Sequence, residues 1–248
     1  MLFVTSMPFL LFWIFYFESL IIRGIFGLGL LFLWHSIILT GSRGALVAVA
    51  AATLVSYLLI KSRVFGILLV CGLVAAVIYQ GGQLLTRTTD TIESTKTQTE
   101  TAVDPRVQSW KTGLGLISKY PILGVGVQRF QEATRIFYPE RNPYVAHNTF
   151  LNFAANTGLT NGIIYLLLYW LQFKRFRKIR RSETDPSSTM SYVNNSTMVA
   201  LTGFYVGSMF LDLIIYEPFY FLLLLGLLTE HIHNKQKSIN VEVEPTQA

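Results

Sequence analysis

DPRVQSWKTGLGLISKYPILGVGVQRFQEATRIFYPERNPYVAHNTFLNFAANTGL, residues 104–159, is the longest run of this chain without a hydrocarbon-spanning segment. Nearly everything on either side is apolar enough to sit in lipid. The fold therefore reads as a membrane helix bundle that carries this run at its surface. Arg106 and His147 within it are the residues best suited to chemistry, and Arg43, in IILTGSRGAL at the end of an upstream apolar run, is the third.

Composition agrees. Of 248 residues, 52% are hydrophobic and only 14% charged, whereas a soluble domain carries roughly a quarter charged residues. The net charge of +6 gathers just beyond apolar runs, as membrane orientation signals do. No nucleic-acid motif accompanies it, so no nucleic-acid partner is expected. A single cysteine, Cys71, excludes a disulfide framework and a cysteine metal site.

Four apolar runs come first, Leu2 to Phe17, Gly24 to Leu39, Ala45 to Ile60 and Val64 to Leu85. Each is near or slightly below the ~20 residues that cross a bilayer, so residues 1–85 are expected to form four transmembrane helices. Residues 2–20 have no basic leader and no small-residue cleavage site, which argues against a signal peptide. The chain reads as starting inside a membrane domain. His35 lies within a span and is expected to be a packed or bonded helix-face residue.

The Thr-rich stretch 86–103 reads as an exposed linker, too polar to bury. Asp104-Pro105-Arg106 then signals a helix start, with Asp as N-cap and Pro at the first helical position. Val107, Trp110, Leu114 and Ile117 follow at helical spacing, the stripe of an amphipathic helix lying in a membrane interface. Arg106 falls in its first turn, where a cation opposes the helix dipole; that cost implies an anionic partner. The helix should break at Tyr120-Pro121. Gly124-Val125-Gly126 lacks the third glycine of a nucleotide loop and reads as a plain turn. Arg129 and Arg141, among aromatic residues, suit either a solvated wall or contacts to an anionic or sugar substrate.

His147-Asn148 opens the next span, expected to run to Phe173 and end in KRFRKIRR, six basic residues in eight. The positive-inside rule makes that octet cytoplasmic. Counting back puts His147 and the loop 86–147 outside the cytoplasm, Lys61 and Arg63 inside, Arg43 outside and Arg23 inside. Spans from Met198 to Leu213 and from Phe219 to Leu228 follow, giving three in 148–230 with a cytoplasmic tail over 231–248. Asp212 and Glu217 bracket the last outer turn and face the same compartment as Arg43. The pair His231 and His233 reads as an inert tail feature.

TGSRG closing one span, DPRxxxW followed by PxxGxG, and HNxFL followed by Gly158 at the head of a later span resemble the O-antigen ligase and polymerase superfamily. The likeness covers roughly residues 24–228. It implies an all-α polytopic transmembrane bundle with a long extracytoplasmic loop containing interfacial helices, located in the bacterial inner membrane. It also implies a glycosyltransferase that moves a polyprenyl-diphosphate-linked glycan onto a lipid or glycan acceptor outside the cytoplasm. Members usually carry several more spans before TGSRG, so this chain is expected to be the C-terminal portion of a longer protein. The likeness gives catalytic roles to Arg43, Arg106 and His147.

The residues suit that chemistry. Guanidinium groups hold phosphates with a fixed fork and stabilise charge on a departing diphosphate. Imidazole exchanges protons near neutral pH and suits a general base. Asn148 is expected to orient it or hold a sugar; Arg129, Arg141, Asp212 and Glu217 are the remaining candidates for substrate contact. No acidic metal motif accompanies the set, so neither metal nor cofactor is expected. Two other classes compete. A glycan-lipid flippase would place ionisable residues at mid-span and pair broken helices, whereas here charges gather at span ends. An inactive scaffold fragment would leave Arg43, Arg106 and His147 far apart.

Overall fold

The computed structural model describes residues 1–60, 105–183, 185 and 187–243, together with 66, 67, 70–72, 74, 75 and 78. Most of the expected fourth span, Lys61 and Arg63, the linker 86–103, Asp104 and residues 244–248 lie outside the described residues. What is described is helical, with no strand among the described residues.

Three apolar helices open the chain: α1 (Leu2–Tyr16), α2 (Leu20–Leu39) and α3 (Arg43–Leu59). Among the described residues, α2 alone is both long and apolar enough to cross a membrane; α1 and α3 are apolar but shorter. The outward face of α2 is uncovered among the described residues, with Leu20, Ile21, Leu28, Phe32 and Leu39 all more than two thirds exposed. His35, expected to be packed or bonded on a helix face, lies on an exposed part of this helix. Among the described residues, α2 joins the bundle through its other side, chiefly against α1.

The surface run contains three short helices: α4 (Pro105–Lys119), α5 (Phe130–Phe137) and α6 (Thr149–Thr157). The start and break of α4 fall where the sequence put them. Its buried face, however, is Ser109, Thr112, Gly113 and Leu116. Val107 and Leu114 point outward, whereas Trp110 and Ile117 are half-buried, so half of the expected apolar stripe is exposed while small residues pack inward. Between residues 127 and 146, read as loop, α5 forms around Phe130, Ala133 and Thr134.

Then come α7 (Leu159–Ser182), α8 (Thr189–Ser208) and α9 (Glu217–Val243). The expected single span 148–173 is instead two helices, broken at Gly158 with φ +96° and ψ 157°, a region essentially reserved for glycine. A Cβ there would also collide with the Ile122 carbonyl oxygen. The Leu159 amide donates to Pro121 O at 2.8 Å, so the turn after α4 and the α6–α7 break are locked together.

The bundle is built around α8, which packs against α1, α3, α7 and α9. It begins nine residues before the expected Met198, because Ser188 caps it by accepting from the Ser191 amide. Small residues let backbones meet: α3 offers Gly44, Ala48 and Ala52, α8 offers Gly203 and Gly207. A Cβ on Gly203 would stand 3.0 Å from Val4 Cγ1 and 3.4 Å from Ala52 Cβ. This small-residue spacing is how helices associate in lipid, where no hydrophobic drive pushes them together. Phe176, Phe204 and Phe219 fill the other side of α8.

The basic octet forms the last turns of α7, which ends at Ser182, and the expected tail continues α9. The two extensions lie side by side. Arg175 and Lys178 reach Glu230 at 2.8 and 3.6 Å, and Ser182 Oγ lies 2.7 Å from His233 Nε2. The octet thus gains an acidic partner that its own stretch lacks.

Candidate functional site

Arg43 is the first residue of α3, immediately after a tight connection. Gly41 takes φ +58°, and Ser42 caps the helix by accepting from the Ala45 amide at 3.3 Å. Arg43 is exposed, beside the free N–H groups of a helix start. The next residue, Gly44, lies against the segment that joins α8 to α9; a Cβ on it would meet Phe210 Cβ at 3.0 Å.

That same segment receives α6. Asn148 is its N-cap, accepting from the Leu151 amide at 3.0 Å, while its Nδ2 donates to Met209 O at 3.3 Å. The buried hydroxyl of Thr149 donates to Leu211 O at 2.8 Å and accepts from the Leu213 amide at 3.1 Å. His147 precedes these anchors and holds φ +49°, a left-handed conformation uncommon outside glycine. The starts of α3 and α6, with Arg43 and His147, therefore meet at residues 209–213.

Arg106 reaches the same end by a different path. Gly113 on α4 lies against Leu151 on α6, and Pro121 O receives the Leu159 amide. Both pairs are offset by the same 38 positions, so α4 and α6 run parallel. At 1.5 Å per residue, Lys111 stands level with Thr149, the first residue of α6, and the first turn of α4 with Arg106 lies beyond it at the same end. Arg106 is half-buried and already engaged in an interaction. The structure thus brings the starts of three helices, led by Arg43, Arg106 and His147, to one end of the bundle.

Other expected residues separate. Arg129 pairs with Glu132 at 2.7 Å on an exposed surface. It lies against Gly126, whose amide donates to Asn156 O at 2.9 Å; this is the far end of α6 from His147. Arg141 donates to Thr112 Oγ1 at 3.2 Å and stacks over Tyr138 at 4.6 Å, so it fastens the 138–146 loop to α4. Glu217 occupies the first turn of α9, where a carboxylate complements the helix dipole, and faces the groove between α1 and α9. Asp212 stays with the site, between the two backbone groups that Thr149 holds.

Asp212 also borders a cavity of about 300 Å³ along α6, with Asn152, Asn156, Gln128 and Tyr216. Burial raises the Tyr216 phenol above its ordinary pKa, so it stays neutral there. Thr149, Asn152, Asn156 and Gln128 escaped the sequence reading. A signal existed for two of them: Asn148, Asn152 and Asn156 recur every fourth residue in HNTFLNFAAN, a polar line within an apolar segment. Thr149 and Gln128 gave none.

The sequence profile of the O-antigen ligase family matches residues 28–167. The match contains Arg43, Arg106 and His147 and stops before Asp212. No curated protein matches the chain.

Proposed function

The chain belongs to the O-antigen ligase family, whose members are membrane enzymes of surface-polysaccharide assembly, and on that premise we propose that it transfers a polyprenyl-diphosphate-linked glycan to an acceptor hydroxyl outside the cytoplasm. The observation that carries this reading is the meeting of α3 and α6 at residues 209–213, with α4 delivering Arg106 to the same end.

Arg43 and Arg106 hold the donor diphosphate, each from the first turn of a helix that carries no acidic residue there. Helix starts favour anions, and the guanidinium forks add direction. His147 takes the proton from the acceptor hydroxyl as its oxygen attacks the anomeric carbon. The bond from that carbon to the diphosphate breaks, and the electron pair leaves on the diphosphate under the two arginines. A single displacement inverts the anomeric centre. Asn148 fixes the start of α6, and with it His147, through one N–H and one lone pair of its amide, and keeps a second N–H for a sugar hydroxyl. No metal or cofactor takes part.

In the membrane, α1–α3 and α7–α9 supply spans and the surface run 105–147 lies on the outer face, with the inner bacterial membrane as the location. At 1.5 Å per residue, α7, α8 and α9, with 24, 20 and 27 residues, are long enough for a hydrocarbon core of ~30 Å. The basic end of α7 is cytoplasmic, and the His147 end is outside.

The test is complementation. Bacteria lacking their own O-antigen ligase or polymerase receive the gene, with any upstream coding sequence it has in its genome, and a matching lipid-linked glycan. Surface glycan longer than or newly attached relative to the empty vector supports transfer. Lipid-linked glycan that reaches the outer face, accumulates there and is not consumed contradicts it.

A further inference from the structure

The cavity beside α6 has a chemistry distinct from that of the arginine end. Its polar wall is Asn152, Asn156, Asp212 and Gln128, and its apolar wall includes Val127 and Ile215. We propose that this cavity is a subsite for one uncharged sugar ring of the glycan, selecting against acidic sugars. The inference rests on the transfer reading above and adds to it a specificity.

Four observations carry it. The first is an acceptor without a donor. Asn156 is 2% exposed, and its Nδ2 donates to both the backbone and side-chain oxygens of Asn152. Those two acceptors fix which way the amide lies, and its Oδ1 is left buried with no donor. A buried acceptor without a partner has lost its water and recovered nothing for it, a deficit that a ligand hydroxyl at the cavity wall relieves. The second is charge. Among the described residues, Asp212 is the one ionisable carboxylate or amine on the cavity wall, so an anionic group placed there meets repulsion; the diphosphate belongs with the arginines and a neutral polyol belongs here.

The third is strain. Among the described residues, only Gln128 and His147 have positive φ without being glycine. Such strain concentrates where a ligand or a reaction needs a side chain aimed, and Gln128 borders this cavity. The fourth is size and place. A cavity of about 300 Å³ sits at the low end of small-molecule pockets, ~300–1,000 Å³, which suits one ring rather than a chain of them. Asn152 stands one helical turn, ~5.4 Å, along α6 from Asn148. Val127 and Ile215 then cover the ring's C–H face.

Direct binding tests this without requiring turnover. The purified protein in detergent is titrated with glucose, N-acetylglucosamine, glucuronate and inorganic pyrophosphate, followed by saturation-transfer NMR. At least one neutral sugar binds, and glucuronate binds roughly ten-fold more weakly than glucose, a gap that D212N narrows. Asn156→Leu and Ile215→Trp each weaken neutral-sugar binding by about ten-fold or more and leave pyrophosphate binding unchanged. Ile215 is exposed, so its variant folds even where Asn156→Leu does not. Absence of neutral-sugar binding, equal affinity for glucuronate, or unchanged sugar binding in Ile215→Trp overturns the subsite. Pyrophosphate that fails to bind while sugar binding follows the expected pattern upholds the subsite and counts instead against the arginine diphosphate site.

Discussion

The Thr149 hydroxyl straddles Asp212, donating to the carbonyl of the residue before it at 2.8 Å and accepting from the amide of the residue after it at 3.1 Å. One buried side chain thus fixes where the outer turn lies against the helix that begins beside His147. Thr149→Val keeps the shape and removes both bonds, stranding a carbonyl and an amide. The expected loss is about 1–3 kcal/mol, read as a lower melting temperature in detergent together with reduced glycan transfer. Thr149→Ser keeps the hydroxyl and should stay close to wild type in both.

The break at Gly158 makes a sharper stability prediction. Its backbone conformation belongs to glycine, and a Cβ would strike the Ile122 carbonyl. Gly158→Ala should lower stability by more than the ~1–3 kcal/mol typical of one strained residue, since collision adds to strain. Gly27→Ala on α2 meets nothing within 4 Å and serves as the control. Thermal unfolding of both variants in one detergent separates them; equal melting temperatures would remove the locking role of this turn.

Arg43 and Arg106 should not tolerate lysine. The ammonium keeps the charge and loses the planar fork, so Arg43→Lys and Arg106→Lys should recover little of the activity lost in the alanine variants. Transfer rates at several donor concentrations check this. Full rescue by lysine would mean that charge alone is used.

Arg129 and Arg141 should differ in kind. Arg129 is exposed, paired with Glu132 and remote from His147. Exposed pairs contribute about 0–1 kcal/mol, so Arg129→Ala should leave stability and transfer near wild type. Arg141 bonds Thr112 and covers Tyr138. Arg141→Ala should therefore loosen the 138–146 loop, detected as faster amide exchange there, with transfer reduced through His147 at the loop's end.

Much of the bundle was legible because apolar runs and basic clusters are long-range signals. The ends of α1, α2 and α3 fall within a few residues of the expected bounds. The start of α4 was legible for a local reason, Asp104-Pro105. The α6–α7 break was not, because Gly158 sits in an apolar stretch and its role depends on the Pro121–Ile122 turn, more than thirty positions upstream. The polar first half of α8 hid its membership in the bundle: Asn194, Ser196 and Thr197 are buried against neighbours rather than solvated.

At the site, chemistry was easier to read than support. Arg43, Arg106 and His147 were visible as residue types at span ends, and the structure brings their helices to one end. The hydroxyl and amides that hold them are ordinary residues whose partners lie as many as 64 positions away. Arg129 and Arg141 looked alike as cations among aromatics; the pairing of Gly126 with Asn156 places Arg129 at the far end of α6 from His147.

The central claim is that His147 accepts the acceptor's proton, and its most direct test is the glycan transfer rate of His147→Asn at matched protein level. Asparagine tolerates the left-handed backbone that His147 holds, so the loop keeps its path while the base is gone. The account predicts a fall of about 10²–10⁴ in rate with donor binding intact. Transfer that stays within a few-fold of wild type would contradict it and remove the general base from the mechanism.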